Sequence, residues 1–269
     1  MKLFYRKLGE GPVLIILHGL YGMSDNWLSI GRALSGYFEV YLPDQRNHGR
    51  SPHDPRHDYY ALRDDLLGFM NEQMIDRAVL VGHSMGGKTA MSFAMQYPER
   101  VCALVVIDIS PRSYLELSAL SRPVIDHMNI INGMTNVDFS KARTREDVDL
   151  QLAQTVHSLK IRRFLLKNLE NDDQKGLRWK INLEALRNEL PRILEGIGGD
   201  SLQEGSGITG FPVHFIRGGR SDYVTDDDLV LIRKIFPLAE TTVIAGTGHW
   251  IHAEEPDLLV KTILQVTGY

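Results

Sequence analysis

The sequence predicts an α/β protein built on a mostly parallel sheet, flanked by helices and interrupted by one helical insertion. Short apolar runs rich in Val, Ile and Leu, each too short for a typical helix, recur at residues 13–17, 39–42, 78–81 and 101–107. Their near-continuous apolarity is typical of strands covered on both faces. Amphipathic stretches alternate with them, at residues 26–34, 59–74 and 85–96. This alternation predicts strand–helix–strand crossovers.

The pattern changes after residue 112. From there to residue 197 helical spacing dominates, with no convincing strand, and its clearest windows are residues 147–156, 161–169 and 183–197. Pro191 interrupts the last window, and a Gly- and Ser-rich loop is predicted over residues 196–210. Strand-like runs return at 213–216 and 241–244, with helices predicted at 226–236 and 254–266. We therefore expect a core of residues 1–112 and 211–269, with a helical cap of residues 113–210 inserted before the penultimate strand.

Composition narrows the class of protein. The chain has 269 residues, 43% of them apolar, and a net charge of −4 without a long basic run. These values favour a globular domain and argue against a nucleic-acid partner. No apolar run reaches the roughly 20 residues that span a bilayer, so no membrane anchor is expected. A charged N-terminal segment and the single cysteine, Cys102, predicted to be buried, favour a cytoplasmic protein.

The candidate nucleophile is Ser84. It is the serine of a G-x-S-x-G motif, Gly82-His83-Ser84-Met85-Gly86, between a predicted strand and a predicted helix. A serine in such a tight turn projects its hydroxyl above the sheet edge, and the following helix N-terminus favours developing negative charge. The motif in this context predicts nucleophilic catalysis by Ser84.

A serine nucleophile needs a hydrogen-bonded base, and ten histidines are available. His249 follows the last predicted strand and a Gly-rich loop, which is where the chain order Ser…Asp/Glu…His places the base. His252 is the nearest rival, although a capping or surface role is the simpler interpretation. His83 is next to the nucleophile but should point away from it, so we interpret it as structural.

Hydrolysis also needs donors for the oxyanion. The backbone N–H of Met85 is one candidate, and the loop after residues 13–17 supplies the second, most simply the N–H of Leu20. Three side chains near this loop are candidates for the substrate pocket: His18, Met23 and Trp27.

These residues together resemble the α/β-hydrolase superfamily over nearly the whole chain. Within it the sequence is most similar to the YbfF-type esterases and their mitochondrial relatives, the eleventh abhydrolase-domain-containing proteins. The closer similarity rests on three stretches, residues 44–51, 106–111 and 163–169. The resemblance implies carboxylesterase or acyl-thioesterase activity on a small-molecule substrate, a helical lid and no cofactor.

The acid has two candidates. The superfamily usually places it three residues after a Gly that follows the penultimate strand, and counting from Gly218 or Gly219 gives Ser221 or Asp222. The YbfF-type pattern also has a serine there and uses an Asp after the preceding strand, which would be Asp108. The similarity favours Asp108, with Asp222 as the alternative. If Asp108 is the acid, its carboxylate should lie within about 3 Å of His249 Nδ1.

The leading hypothesis is therefore cleavage of an ester or acyl thioester through an acyl-enzyme on Ser84. C–C bond hydrolysis or lyase chemistry on the same triad is an alternative, and so is a non-catalytic ligand receptor. A metal site is not expected, because Pro55 prevents a helix from aligning His53 with His57, and a solvated loop is the simpler interpretation. The sequence does not predict an oligomeric state.

Overall fold

The computed structural model describes residues 1–115, 121–172, 176–197 and 207–269. The strands within these residues are β1 (Tyr5–Leu8), β2 (Val13–Leu17), β3 (Glu39–Pro43), β4 (Ala78–His83), β5 (Val101–Ile107), β6 (Leu169–Asp172), β7 (Gly176–Trp179), β8 (Val213–Gly218) and β9 (Glu240–Ile244). Seven of these described strands form one sheet in the order β1-β3-β2-β4-β5-β8-β9. Only β1 is antiparallel to its neighbour in this sheet.

The helices of the described chain cover both faces of the sheet or belong to the insertion. They are α1 (Leu28–Leu34), α2 (Tyr59–Glu72), α3 (Met85–Gln96), α4 (Arg122–Thr135), α5 (Arg145–Leu152), α6 (Leu159–Leu165), α7 (Leu183–Leu194), α8 (Asp228–Ile235), α9 (Ile251–Glu254) and α10 (Pro256–Thr267). Buried apolar side chains pack on each face, so the central strands are covered on both sides. The predicted α/β architecture, a mostly parallel sheet flanked by helices, is confirmed.

The core elements follow the sequence pattern closely. The strands β2 and β5 have the predicted bounds, because each apolar run ends at a polar residue. The helix α3 also has its predicted bounds. The prediction missed β1. This strand is four residues long, partly exposed and at the sheet edge, so it lacks the continuous apolar run of the buried strands.

The insertion between β5 and β8 is not wholly helical, which corrects the expectation that it contains no strand. The strands β6 and β7 pair as an antiparallel hairpin, and their half-buried, charged sequences carry no apolar run. The helix α4 packs against α5 and α7, and α7 continues through Pro191 to Leu194. Most of the loop predicted over residues 196–210 lies outside the described residues.

Cys102 is exposed, contrary to the expectation of a buried core residue. It lies where the register of β4 and β5 shifts: Ala78 pairs with Val101 and Val79 with Ala103, so Cys102 has no partner on β4. Such a bulge locally disrupts the ladder. Among the described helices, none combines the length and the apolarity that crossing a bilayer requires.

Candidate active site

Parallel strands bring the three predicted catalytic residues to one edge of the sheet. Ser84 directly follows β4, Asp108 directly follows β5, and His249 lies in the loop after β9. Because these strands run parallel, their carboxyl ends meet at this edge. This is where open α/β sheets bind ligands.

Ser84 lies in a strained turn between β4 and α3. Its φ is 53° and its ψ is −122°, a conformation that residues other than glycine rarely adopt. The turn depends on two glycines. A Cβ on Gly82 would lie 2.3 Å from the carbonyl oxygen of Gly86, and a Cβ on Gly86 would lie 2.2 Å from that of Leu17. The sequence motif thus folds into a sharp bend that leaves Ser84 on the wall of a cavity.

Asp108 and His249 are hydrogen-bonded. The His249 Nδ1–H donates to Asp108 Oδ2 at 2.7 Å. The Asp108 side chain is fully buried, and it also accepts the backbone N–H of Gly218 at 2.8 Å and the hydroxyl of Ser221. Hydrogen bonds of this kind offset the cost of burying a carboxylate. With its Nδ1 proton held by Asp108, His249 presents Nε2 as the basic nitrogen.

Asp222, the alternative acid, lies away from His249. Its side chain is 63% exposed and faces the Arg122 guanidinium at 3.9 Å. Ser221 occupies the position counted from Gly218, and its hydroxyl contacts the carboxylate of Asp108. The structure therefore brings Asp108, not Asp222, to the histidine.

The neighbouring histidines have other environments. His83 lies next to His249, and its Nε2–H donates to the His249 backbone carbonyl at 2.9 Å. It also borders the cavity. His252 is buried and stacks on Trp27 at 4.6 Å, which corrects the expectation of a surface or capping role. Burial lowers the pKa of His83 well below its ordinary value and that of His252 to about 3, so both rings are neutral at pH 7.

The candidate oxyanion donors lie on two sides of Ser84. Met85 is the first residue of α3, so its N–H has no acceptor within the helix. Leu20 belongs to a turn closed by the bond from Gly22 N–H to Gly19 C=O at 2.9 Å, and its own N–H has no acceptor in the described chain. Gly19 and Leu20 line the same cavity as Ser84 and His249.

The cavity measures about 50 Å³, and side chains of the insertion form part of its wall. The insertion contributes Asp126, His127 and Ile130 from α4 and Ile161 from α6. Tyr223 stacks on the ring of His249 with centroids 3.7 Å apart, and its hydroxyl pairs with His127 Nε2 at 3.1 Å. Sequence reasoning missed all five of these residues. Tyr223 could have been suspected, because it lies two residues after Ser221 in the loop where the superfamily usually places the acid.

The three predicted pocket side chains lie elsewhere. The ring of His18 is buried against the loop that follows β3, where its Nε2 accepts the N–H of Gln45 at 2.9 Å. Met23 and Trp27 are also buried, and none of the three borders the cavity. They follow the candidate donor Leu20 in sequence, but the residues of this loop that line the cavity end at Tyr21. His57, predicted in a solvated loop, is also buried and contacts the Met85 sulfur at 3.3 Å. Within the described residues, no group of three potential metal ligands is assembled.

Comparison with known proteins shows the family to which the chain belongs. A family model described as alpha/beta hydrolase fold matches residues 12–256, so the chain belongs to the α/β-hydrolase family. The sn-1-specific diacylglycerol lipase ABHD11 of Danio rerio is 36% identical over 264 residues, covering 95% of this chain and 78% of that protein. Esterase YbfF of Escherichia coli is 34% identical, covering 93% of this chain and 91% of its own. A solved structure, "Marine microorganism esterase", is similar with a TM-score of 0.93 at 42% identity, covering 98% and 99% of the two chains. The predicted resemblance is confirmed.

Proposed function

We propose that this protein is a serine hydrolase that cleaves a carboxylic ester or acyl thioester through an acyl-enzyme on Ser84. The observation that carries the proposal is the bond between His249 Nδ1 and the buried Asp108, with His249 and Ser84 lining the same cavity. In this scheme His249 Nε2 accepts the Ser84 proton as Oγ attacks the carbonyl carbon. The names of the relatives, two esterases and a lipase, support an ester substrate.

The oxyanion formed by this attack would be stabilised by the N–H groups of Leu20 and Met85. The proton taken by His249 then passes to the leaving alcohol or thiol, and the acyl group stays on Ser84. Water, activated by His249, releases the acid and restores the hydroxyl of Ser84. No step needs a cofactor.

We also propose that residues 113–210 act as a lid that limits the acyl group. The cavity of about 50 Å³ is bounded by side chains of α4 and α6, and it is far smaller than the ~150 Å³ that accommodates benzene in a protein interior. A short acyl group fits this arrangement more easily than a long one, which would need the lid to move.

A substrate panel tests the proposal. Wild-type protein is assayed with p-nitrophenyl esters and acyl-CoA thioesters of graded chain length, beside Ser84→Ala as the matched control. We expect turnover that falls as the chain lengthens, and a loss of at least about 1000-fold in Ser84→Ala. Retention of more than a few per cent of activity by Ser84→Ala would overturn the assignment. Labelling by a fluorophosphonate without turnover of any ester would favour the C–C hydrolase or receptor alternatives.

A further inference from the structure

Tyr21 follows the proposed oxyanion donor Leu20 and has a strained backbone. Its φ is 63°, in the left-handed region that residues other than glycine rarely adopt. It is the third residue of the turn closed between Gly19 and Gly22, a position at which a positive φ usually calls for glycine or asparagine. A tyrosine persists in this conformation only when its surroundings hold it there.

Two buried side chains hold the peptide groups on either side of Tyr21. The Tyr21 N–H donates to His48 Nε2 at 3.1 Å, and the Tyr21 carbonyl accepts from Asn168 Nδ2 at 2.8 Å. Both His48 and Asn168 are fully buried. His48 donates its Nδ1–H to the carbonyl of Arg46 at 2.9 Å, which leaves Nε2 free to accept. Burial and the neighbouring histidines keep the pKa of His48 well below its ordinary value, so the acceptor is preserved at neutral pH.

The two side chains belong to different parts of the molecule. His48 lies in the core, in the loop between β3 and α2, whereas Asn168 ends a short 3-10 turn of the insertion just before β6. The Asn168 carbonyl accepts the N–H of Lys180 at 2.8 Å, which ties it to the base of the β6–β7 hairpin. The turn that carries Leu20 is therefore fixed from the core on one side and from the lid on the other.

We propose that Asn168 is a positioning residue through which closure of the lid completes the oxyanion hole. With the lid seated, the bond from Asn168 fixes the strained turn and the Leu20 N–H is held toward the reacting carbonyl. When the lid moves away, this bond is lost and the turn relaxes. Hydrolysis is thereby favoured only under a closed lid. This inference rests on the proposed function, because it assigns Leu20 as an oxyanion donor.

The same chain offers a matched control. Tyr59, at the start of α2, donates its hydroxyl to the carbonyl of Ile193 in the lid at 2.7 Å, and this bond is also buried. Like the Asn168 bond, it joins core and lid through one side-chain donor and one carbonyl. Tyr59 does not border the cavity. Tyr59→Phe thus removes an equivalent contact without touching the oxyanion turn.

The experiment compares Asn168→Leu, which keeps the side-chain volume but removes the donor, with Tyr59→Phe. Each variant is assayed on p-nitrophenyl butyrate for kcat and KM, and on a butyl trifluoromethyl ketone, whose adduct with a serine places an oxyanion in the hole. For Asn168→Leu we expect kcat to fall about tenfold with KM unchanged, less than the 100- to 1000-fold typical of deleting a donor. The inhibition constant of the ketone should rise by the same factor.

Tyr59→Phe should leave both quantities within about twofold of wild type, in keeping with a bond that affects stability only. If Asn168→Leu does not fold, Asn168→Asp, which keeps the shape but replaces the donor by an acceptor, is measured in its place. Unchanged kcat and ketone affinity in the variant that folds would overturn the inference, as would equal losses in Tyr59→Phe. Ser84→Ala distinguishes failure of the proposed function from failure of this inference. If Ser84→Ala stays active, the proposed function fails. If it is inactive and Asn168→Leu behaves as wild type, only this inference fails.

Discussion

The loops after β5 and β8 each place an aspartate near the carboxyl edge of the sheet, and their surroundings differ sharply. Asp108, after β5, is fully buried and has three donors: His249 Nδ1–H, the Gly218 N–H and the Ser221 hydroxyl. Asp222, after β8, is largely exposed beside Arg122. The β8 loop thus contributes donors to a carboxylate carried by β5. Position along the chain alone leaves both aspartates as candidate acids, whereas the surrounding donors favour Asp108.

The largest loss should follow removal of the histidine that Asp108 contacts. We expect His249→Ala to lower kcat by about 100,000-fold or more, to nearly the level of Ser84→Ala, because nucleophile and base act as a unit and their effects do not add. His252→Ala is the control. Since His252 stacks on Trp27 and its Nδ1 has no hydrogen-bond partner among the described residues, its loss should lower the melting temperature and change kcat only a fewfold. The reverse ranking, measured on one ester, would transfer the base role to His252.

Asp108→Asn should be nearly as damaging. The change keeps the shape but offers His249 an amide in place of a carboxylate, which favours the wrong tautomer and no longer stabilises the imidazolium. By analogy with the serine-protease aspartate, we expect kcat to fall by about 10,000-fold. Steady-state kinetics on the same ester, with circular dichroism to verify folding, provides the measurement. A loss smaller than about tenfold would show that another group supports His249.

A carboxylate moved from position 108 to position 221 tests whether the β8 loop can supply the acid. The Ser221 hydroxyl and the His249 Nδ1 contact the same oxygen of Asp108, so a carboxylate at position 221 would lie close to the histidine. We expect the double variant Asp108→Asn, Ser221→Asp to recover about 10- to 100-fold of the activity lost in Asp108→Asn. Ser221→Asp in the wild-type background places two carboxylates together and should lower activity instead. No recovery in the double variant would mean that the β8 loop cannot present an acid at this position.

The smallest effect should come from Asp222→Asn. An exposed ion pair contributes little, and the Asp222 carboxylate does not contact the histidine, so we expect kcat and KM within about twofold of wild type. The assay is the one used for Asp108→Asn. A large loss in Asp222→Asn with Asp108→Asn unaffected would reverse the comparison and restore the usual acid position of the superfamily.

The sequence predicted the core better than the insertion between β5 and β8, for a physical reason. Strands such as β2 and β5 are covered on both faces, so they are apolar along their length and can be recognised in the sequence. Close backbone contacts require Gly82 and Gly86, so the turn at Ser84 could be predicted from the sequence motif alone. The placement of Asp108 needed the family resemblance as well, because the residues alone left Asp222 open.

The insertion and the cavity wall depend on tertiary contacts that no local sequence pattern encodes. The β6–β7 hairpin is short and charged, with no apolar run to reveal it. His127 reaches the cavity only because the insertion folds back over Ser84, and Tyr223 stacks on His249 only because the β8 loop does the same. The error over Met23 and Trp27 has the same origin, since proximity in sequence to Leu20 does not determine whether a side chain borders the cavity.

Every step of the proposed reaction depends on a covalent intermediate at Ser84. The most direct measurement is peptide mass spectrometry after reaction with a fluorophosphonate, with Ser84→Ala treated in parallel. We expect one phosphonyl group on the peptide containing Ser84, loss of ester hydrolysis in step with labelling, and no adduct on the variant. An adduct on another residue that accounts for the inactivation, or full labelling of Ser84 that leaves ester hydrolysis intact, would contradict it.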